Sequence, residues 1–309
     1  MKIGITGGAG FIGRHLCEQL SRNNEVYCID SLVTGSEENL KDLDVTFIKH
    51  DIVNNLDLKL DQIYHMASRA SPKDFDSHAL EIALTNSTGT LNILKMAKKY
   101  NASVLIASTS ETYGDPLVHP QNELYRGNVN TTGPRSCYDE SKRFAETLGY
   151  VFSKDVTVRI ARIFNTYGPY MQIEDGRMIP NFISQAIRNQ PVTIYGDGTQ
   201  TRSFCYVDDL VRGLVLLMNS NNGELNGSPV NLGNPEEHTI YDMAVKIKEM
   251  TGSSSDIVFL PLPEDDPKKR KPDISKAMQY LNWKPEKTLD SGLKETINYF
   301  KNQIMNPKN

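Results

Sequence analysis

Lys2-Ile3-Gly4-Ile5-Thr6-Gly7-Gly8-Ala9-Gly10-Phe11-Ile12-Gly13 opens the chain with a short apolar run, a glycine-rich turn and the start of a helical pattern. Lys2 to Thr6 reads as a buried strand, and Ile12 to Ser21 continues as a helix. Glycines at such a turn let the backbone approach a pyrophosphate, whose negative charge then meets the free N–H groups of the following helix. A glycine pattern says little by itself; its place between a strand and a helix makes it a dinucleotide-binding signature. Asp30 follows the next apolar run, Glu25 to Ile29, near the offset of about twenty residues at which a carboxylate takes the ribose 2′-hydroxyl of NAD. That carboxylate repels a 2′-phosphate, and no Arg or Lys stands beside it in Ile29-Asp30-Ser31-Leu32, which favours NAD over NADP. Asp51, after the third run, is a second acid placed to reach the adenine.

The alternation continues outward from this turn. Val45 to Lys49, Gln62 to Met66, Val104 to Ala107 and Val156 to Ile160 are further strand candidates, and helical spacing covers Leu80 to Lys99 and Tyr138 to Phe152. Strands alternating with helices imply an α/β fold, a Rossmann-type doubly wound parallel sheet with helices on both faces. From about Tyr167, Gly and Pro become frequent and the elements shorten. This divides the chain into residues 1–166, an NAD-binding domain joined by returning segments from the second half, and 167–309, mainly a smaller C-terminal substrate-binding lobe. Helices are expected there over Met178 to Arg188, Asp208 to Met218, Ile240 to Met250 and Ser291 to Phe300, with a flexible turn at Gly252 to Ser255.

The 309 residues, 39% hydrophobic, are enough for a full core. A net charge of −4 argues against nucleic acid as the main partner, because counterion release needs a basic surface. The one basic run, Lys268 to Lys271, reads first as a solvated face. No apolar stretch is long enough to span a membrane. No leader precedes the first strand, so a cytoplasmic location is expected. Cys17, Cys28, Cys137 and Cys205 show no Cys-x-x-Cys spacing and read as reduced structural thiols, and no metal site is expected.

Tyr138 and Lys142 share one helical face. Spacing alone is a poor guide, since Tyr150/Lys154 and Tyr280/Lys284 repeat it. The first pair differs by opening the helix that follows Ser108-Thr109-Ser110-Glu111. A phenol with an ordinary pKa of about 10 is a poor base at neutral pH. Lys142 and a positively charged nicotinamide ring are expected to favour its phenolate, with the Ser108 or Thr109 hydroxyl sharing the substrate's hydrogen bond.

The string Ala107-Ser108-Thr109-Ser110-Glu111-Thr112-Tyr113-Gly114-Asp115-Pro116, continuing to Gly133-Pro134-Arg135-Ser136-Cys137-Tyr138-Asp139-Glu140-Ser141-Lys142-Arg143, resembles the UDP-glucuronate decarboxylases of the extended short-chain dehydrogenases. Ala161 to Pro169, Gln200 to Phe204, Asn231 to Thr239 and Asp266-Pro267 with Lys269 to Ile274 extend the likeness over nearly the whole chain. The resemblance implies bound NAD, a UDP-sugar substrate, a homodimer built on helices of the first domain, and a nucleotide-sugar-binding second lobe. It implies catalytic roles for Thr109, Glu111, Tyr138, Lys142 and Arg270, with Glu111 acting near C5 and Arg270 near the departing carboxylate or the phosphates. Cofactor binding falls to Gly7, Gly10, Phe11, Ile12, Gly13, Asp30, Thr34, Gly35, Asp51, Ile52, Thr85, Tyr138 and Lys142. Substrate contacts fall to Asn92, Asn165, Arg177, Tyr195, Arg202 and Arg270. Ser110 stands where sugar 4,6-dehydratases usually place Asp, and 4-epimerases generally lack the carboxylate of Glu111, so both are alternatives, as is a non-catalytic NAD-sensing protein. Arg69, Leu84 and Tyr170 depart from the pattern, replacing a usual Pro, Lys and Arg.

Overall fold

The computed structural model describes residues 1–263, 267 and 269–305. Asp266, quoted for the resemblance, and Lys268 of the basic run lie outside the described residues. The first half forms β1 (Lys2–Thr6), α1 (Phe11–Ser21), β2 (Glu25–Asp30), β3 (Thr46–Lys49), β4 (Gln62–His65), α2 (Ala79–Leu84), α3 (Thr90–Tyr100), β5 (Ser103–Thr109), α4 (Ser136–Phe152) and β6 (Val158–Ile163). These strands and Pro229–Leu232 make one seven-stranded sheet, ordered Pro229–Leu232, β6, β5, β4, β1, β2, β3, with every pair parallel. The last strand comes from the second half of the chain and completes the sheet.

Alternation along each strand divides the core between the two faces. Ile3, Ile5, Tyr64, Leu105 and Ala161 join the cluster containing α1. Ile29, Ile63, Val104, Ile106, Val158 and Ile160 pack with Ile93, Leu94 and Ala145 of α3 and α4. Each such aliphatic side chain, fully buried, contributes roughly 1.5–3 kcal/mol. The order of the strands reverses between β1 and β4, and a crevice outside their carboxyl ends is where such sheets bind ligands. The two turns there touch closely: a Cβ on Gly7, whose φ is +70°, would lie 2.8 Å from the Ala67 backbone. Beneath them His65 is wedged between the hydroxyls of Thr6, at 2.8 Å, and Thr90, at 3.0 Å.

The single helix expected over Leu80 to Lys99 is instead α2 and α3 joined by a π-turn at Thr85–Gly89. Ser87 and Thr90 donate to carbonyls four residues back, at 2.6 Å each, and Asn86 reaches Ser141 of α4 at 3.0 Å. Side chains of this kind compete with the regular ladder and bend helices. Gly89 lets the widened turn approach Ile52, which a Cβ would meet at 2.7 Å.

The second half adds α5 (Met178–Ile187), α6 (Val207–Asn219), α7 (Ile240–Thr251), α8 (Ser275–Leu281) and α9 (Leu289–Met305). Short strands complete it: Val192–Tyr195 with Ile257–Leu260, and Glu237–Thr239 beside Thr201–Ser203 beside Lys269–Arg270. The expected flexible turn is a helix cap, with Gly252 left-handed and Ser253 hydrogen-bonded to Asn189 and Ser255. Among the described residues no helix is long and apolar enough to cross a membrane.

A Cβ on Gly13 would fall 2.1 Å from the Gly7 carbonyl oxygen, whereas one on Gly10 meets only that oxygen, at 3.3 Å. Gly13→Ala is therefore expected to lose about 1–3 kcal/mol in urea denaturation. Gly10→Ala should stay much nearer the unmodified protein, and equal losses from both would contradict this packing.

Candidate active site

A cavity of about 1360 Å³ opens at the crevice. That exceeds the roughly 300–1,000 Å³ of a single small-ligand site and suits a dinucleotide together with a second ligand. At one end Gly7, Gly10, Phe11, Ile12 and Gly13 line it, with Asp30, Thr34, Asp51, Ile52 and Thr85 beyond. The Asp30 carboxylate accepts from Ala9 N–H at 3.0 Å and Leu32 N–H at 2.8 Å, which orients it toward the turn. Burial pushes its pKa above the ordinary value while those two N–H groups oppose the shift. Gly35 does not line the cavity, but its Cβ position is 3.0 Å from both Asp30 oxygens, so a larger residue would crowd the carboxylate. Asp51 is exposed and caps a turn through Val53 N–H at 3.0 Å. Close backbone, a helix start and an oriented acid suit the diphosphate and ribose of NAD.

The middle of the cavity is built by the end of β5 and the first turns of α4. Thr109 and Ser108 both line it, yet they differ. Ser108 donates to Glu146 at 2.5 Å, and Glu146 holds Arg162 through two bonds of 2.9 and 2.7 Å. Of the two hydroxyls expected to serve the substrate, Ser108's is engaged in this buried network, and Thr109's is the one directed at Tyr138. Tyr138 is buried and stacks on Phe75 with centroids 5.3 Å apart. Lys142 Nζ donates to the Ala107 carbonyl at 2.9 Å and lies 5.8 Å from the centre of the Tyr138 ring.

Burial first, then the negative charge of Glu111, push the Tyr138 phenol well above its ordinary value, against hydrogen bonding from Thr109 and the positive charge of Arg177. Burial alone draws Lys142 down to about 7. The chain's own groups thus keep the phenol protonated, because a low-dielectric pocket disfavours both charged forms.

Glu111 follows in the turn after β5. Its two oxygens go to different guanidiniums, Oε1 to Arg270 and Oε2 to Arg135 at 2.6 Å. Burial would raise its pKa, but the two arginines overcome that and hold it at about 2. Arg270 is 3% exposed and comes from the Lys269–Arg270 strand, paired in parallel with Thr201–Ser203. Arg135, at the cap of α4, was not among the residues picked out by spacing; its position three residues before Tyr138 is the signal that places it on the site's face. Asp139, also of α4, stands 3.9 Å from Arg135.

The far end of the cavity carries Asn165, Arg177, Tyr195 and Arg202. Arg177 pairs with Asp175, and Arg202 is buried with a bond to the Thr201 carbonyl at 2.9 Å. Asn92 is not brought to the site. It lies on α3, outside the cavity lining, and its amide donates to the Ile52 and Val53 carbonyls at 3.1 and 2.8 Å, which ties the loop after β3 to that helix. Arg69 and Leu84 line the cavity, with Arg69 already paired to Asp74 at 3.7 Å and Glu81 at 3.4 Å. Tyr170 turns toward α1, where the Arg14 guanidinium sits 4.0 Å from its ring centre and donates to its hydroxyl at 3.0 Å.

Residues 3–233 match the NAD dependent epimerase/dehydratase family. The chain is 50% identical over 315 residues to UDP-glucuronic acid decarboxylase 1 of Danio rerio, covering 100% of this chain and 74% of that protein. It is 51% identical over 313 residues to UDP-glucuronic acid decarboxylase 1 of Arabidopsis thaliana, covering 99% of this chain and 71% of that one. Among solved structures, UDP-glucuronic acid 4-epimerase from Bacillus cereus in complex with UDP-glucuronic acid and NAD superposes with a TM-score of 0.88 at 31% identity, covering 97% of this chain and 99% of that one. Sequence, fold and site converge, and the chain belongs to the NAD dependent epimerase/dehydratase family.

Proposed function

We propose that the protein is an NAD-dependent decarboxylase that converts UDP-glucuronate to UDP-xylose. The observation that carries the reading is the side-by-side placement of Tyr138 and Lys142 with the buried Glu111–Arg270 pair, in a chain about half identical to two UDP-glucuronic acid decarboxylases. Asp30, Thr34 and the glycine turn hold the cofactor, with Gly35 leaving room for the Asp30 carboxylate and Asp51, Ile52 and Thr85 at the edge. Asn165, Arg177, Tyr195 and Arg202 hold the nucleotide sugar. The chemistry that bound NAD supplies is a two-electron oxidation at C4 of the sugar and its later reversal.

With its phenolate favoured by the positive charge of a bound oxidised cofactor, Tyr138 takes the proton of the C4 hydroxyl while Thr109 orients that hydroxyl. The C4 ketone is β to the C6 carboxylate, so the C5–C6 bond breaks, carbon dioxide leaves and its bonding pair becomes an enolate across C4 and C5. Tyr138 and Thr109 steady the enolate oxygen by hydrogen bonding. Arg270 faces the carboxylate before it leaves, and Glu111 orients the proton source at C5. Protonation at C5 and reduction at C4 then give the pentose. A cytoplasmic location and a homodimer belong to the same reading. The second copy would cover the exposed apolar strip of Phe144, Tyr150 and Val151 on α4 with Leu80 and Leu84 of α2.

Incubation with UDP-glucuronate and catalytic NAD should release carbon dioxide without net NADH, read by mass spectrometry and absorbance; an unchanged sugar mass would refute the assignment. Tyr138→Phe should still bind NAD but lose about 10²–10⁴-fold in turnover. Near-normal turnover would move the base elsewhere.

Lys142 yields a separate expectation. In the unfolded chain a lysine keeps its proton until near its ordinary value of 10.5, but in the fold it loses it near 7. Between those values the unfolded state binds more protons, so stability rises with pH; the burial penalty is complete below about 7 and gone above about 10.5. Without cofactor, Lys142→Met should therefore resist urea better than the unmodified protein at about pH 7, and the gain should shrink by about pH 10. A gain independent of pH would contradict the buried-charge account.

A further inference from the structure

Each oxygen of Glu111 has its own guanidinium, and the two arginines are anchored differently. Arg135 is built into the start of α4: its carbonyl accepts from Tyr138 and Asp139 N–H, both at 3.0 Å, and its guanidinium lies 5.5 Å from the centre of the Phe75 ring that stacks on Tyr138. Arg270 reaches in from a two-residue strand of the other half, with its second contact a 3.4 Å bond to the Gly114 carbonyl. On the decarboxylase reading, on which this inference rests, a sugar carboxylate must also enter this pocket. A buried carboxylate stays ionised only beside a cation.

We propose that Arg135 is a positioning residue that keeps Glu111 fixed and anionic while Arg270 transfers from Glu111 to the carboxylate of the substrate. Two guanidiniums then balance two carboxylates, and Glu111 does not have to take up a proton when the substrate binds. The other groups facing this cluster agree with the count. Tyr138 keeps its proton and is neutral, Arg177 is already paired to Asp175, and Lys142 is turned to the Ala107 carbonyl. Asp139 is 5% exposed and its Oδ1 has no hydrogen-bond partner. Burial first, then the charge of Glu111, push it up to about 7, so near neutrality it does not add a full second anion.

The test is proton uptake on binding, measured with the cofactor site filled by NADH so that C4 is not oxidised and no decarboxylation consumes a proton, by titration calorimetry at about pH 6 in buffers of different ionisation enthalpy. The unmodified protein should bind UDP-glucuronate with little uptake. In Arg135→Gln, Glu111 loses its last cation when Arg270 leaves, so binding should take up at least about 0.3 proton per site more. UDP-xylose, which shares the diphosphate and lacks the carboxylate, should show no such excess, and Arg135→Lys should restore the unmodified behaviour. Should Arg135→Gln fail to fold, Arg135→Met keeps the aliphatic stem on Phe75 and carries the same measurement. Equal uptake in the charge-removing variant and the unmodified protein, or the same excess with UDP-xylose, overturns the proposal. Carbon dioxide release by the unmodified protein is read separately, so failure of the decarboxylase reading is not confused with failure of this one.

Discussion

The ion pair between Glu111 and Arg270 joins positions 159 residues apart and brings the second half of the chain to the cavity that the glycine turn also lines. The first half of the chain supplies Thr109, Tyr138 and Lys142 by itself, because the end of β5 and the start of α4 bring them together. It supplies Arg135 to one oxygen of Glu111 but not the cation at the other. That needs the Lys269–Arg270 strand, which is held by Thr201–Ser203 and, through Lys271 and Asp273, by backbone bonds of 2.9 and 2.8 Å to Gln121. Arg202, on the strand beside Arg270, lines the same cavity, so one small sheet places cations both beside Glu111 and at the far end of the cavity.

Burial sets the charge states of Tyr138 and Lys142. In a dry pocket both phenolate and ammonium are unfavourable, and the structure meets this by leaving Tyr138 protonated and Lys142 only weakly basic. The negative charge of Glu111 adds to the cost of a phenolate. On the proposed mechanism a positive charge must therefore arrive beside Tyr138 before it can act as a base, which couples proton transfer to an assembled site.

Much of this was legible from residues alone. The glycine turn, Asp30 and the Tyr138/Lys142 pair stand in local patterns whose neighbours in sequence are neighbours in space, and all lie where the pattern implies. The break at Thr85–Gly89 was hidden, because Leu84 and Leu91 keep an apolar spacing through it while the cause lies in Ser87 and Thr90 bonding back along the chain. The short strands of the second half were missed for a related reason: two to four residues carry no periodicity. Asn92 was misplaced because its amide serves the backbone of Ile52 and Val53, a partner that no spacing rule announces. The roles of Ser108 and Thr109 could not be separated either, since what distinguishes them is Glu146 on a helix that follows much later.

His65 is buried between two threonine hydroxyls, and burial, helped by the charge of Lys142, pushes it down to about 3. It is therefore an uncharged spacer near neutrality, with its ring orientation set by Thr6 and Thr90. This histidine is thus removed from the usual business of histidines. Acidification of the surroundings would leave the floor under the dinucleotide turn electrically silent.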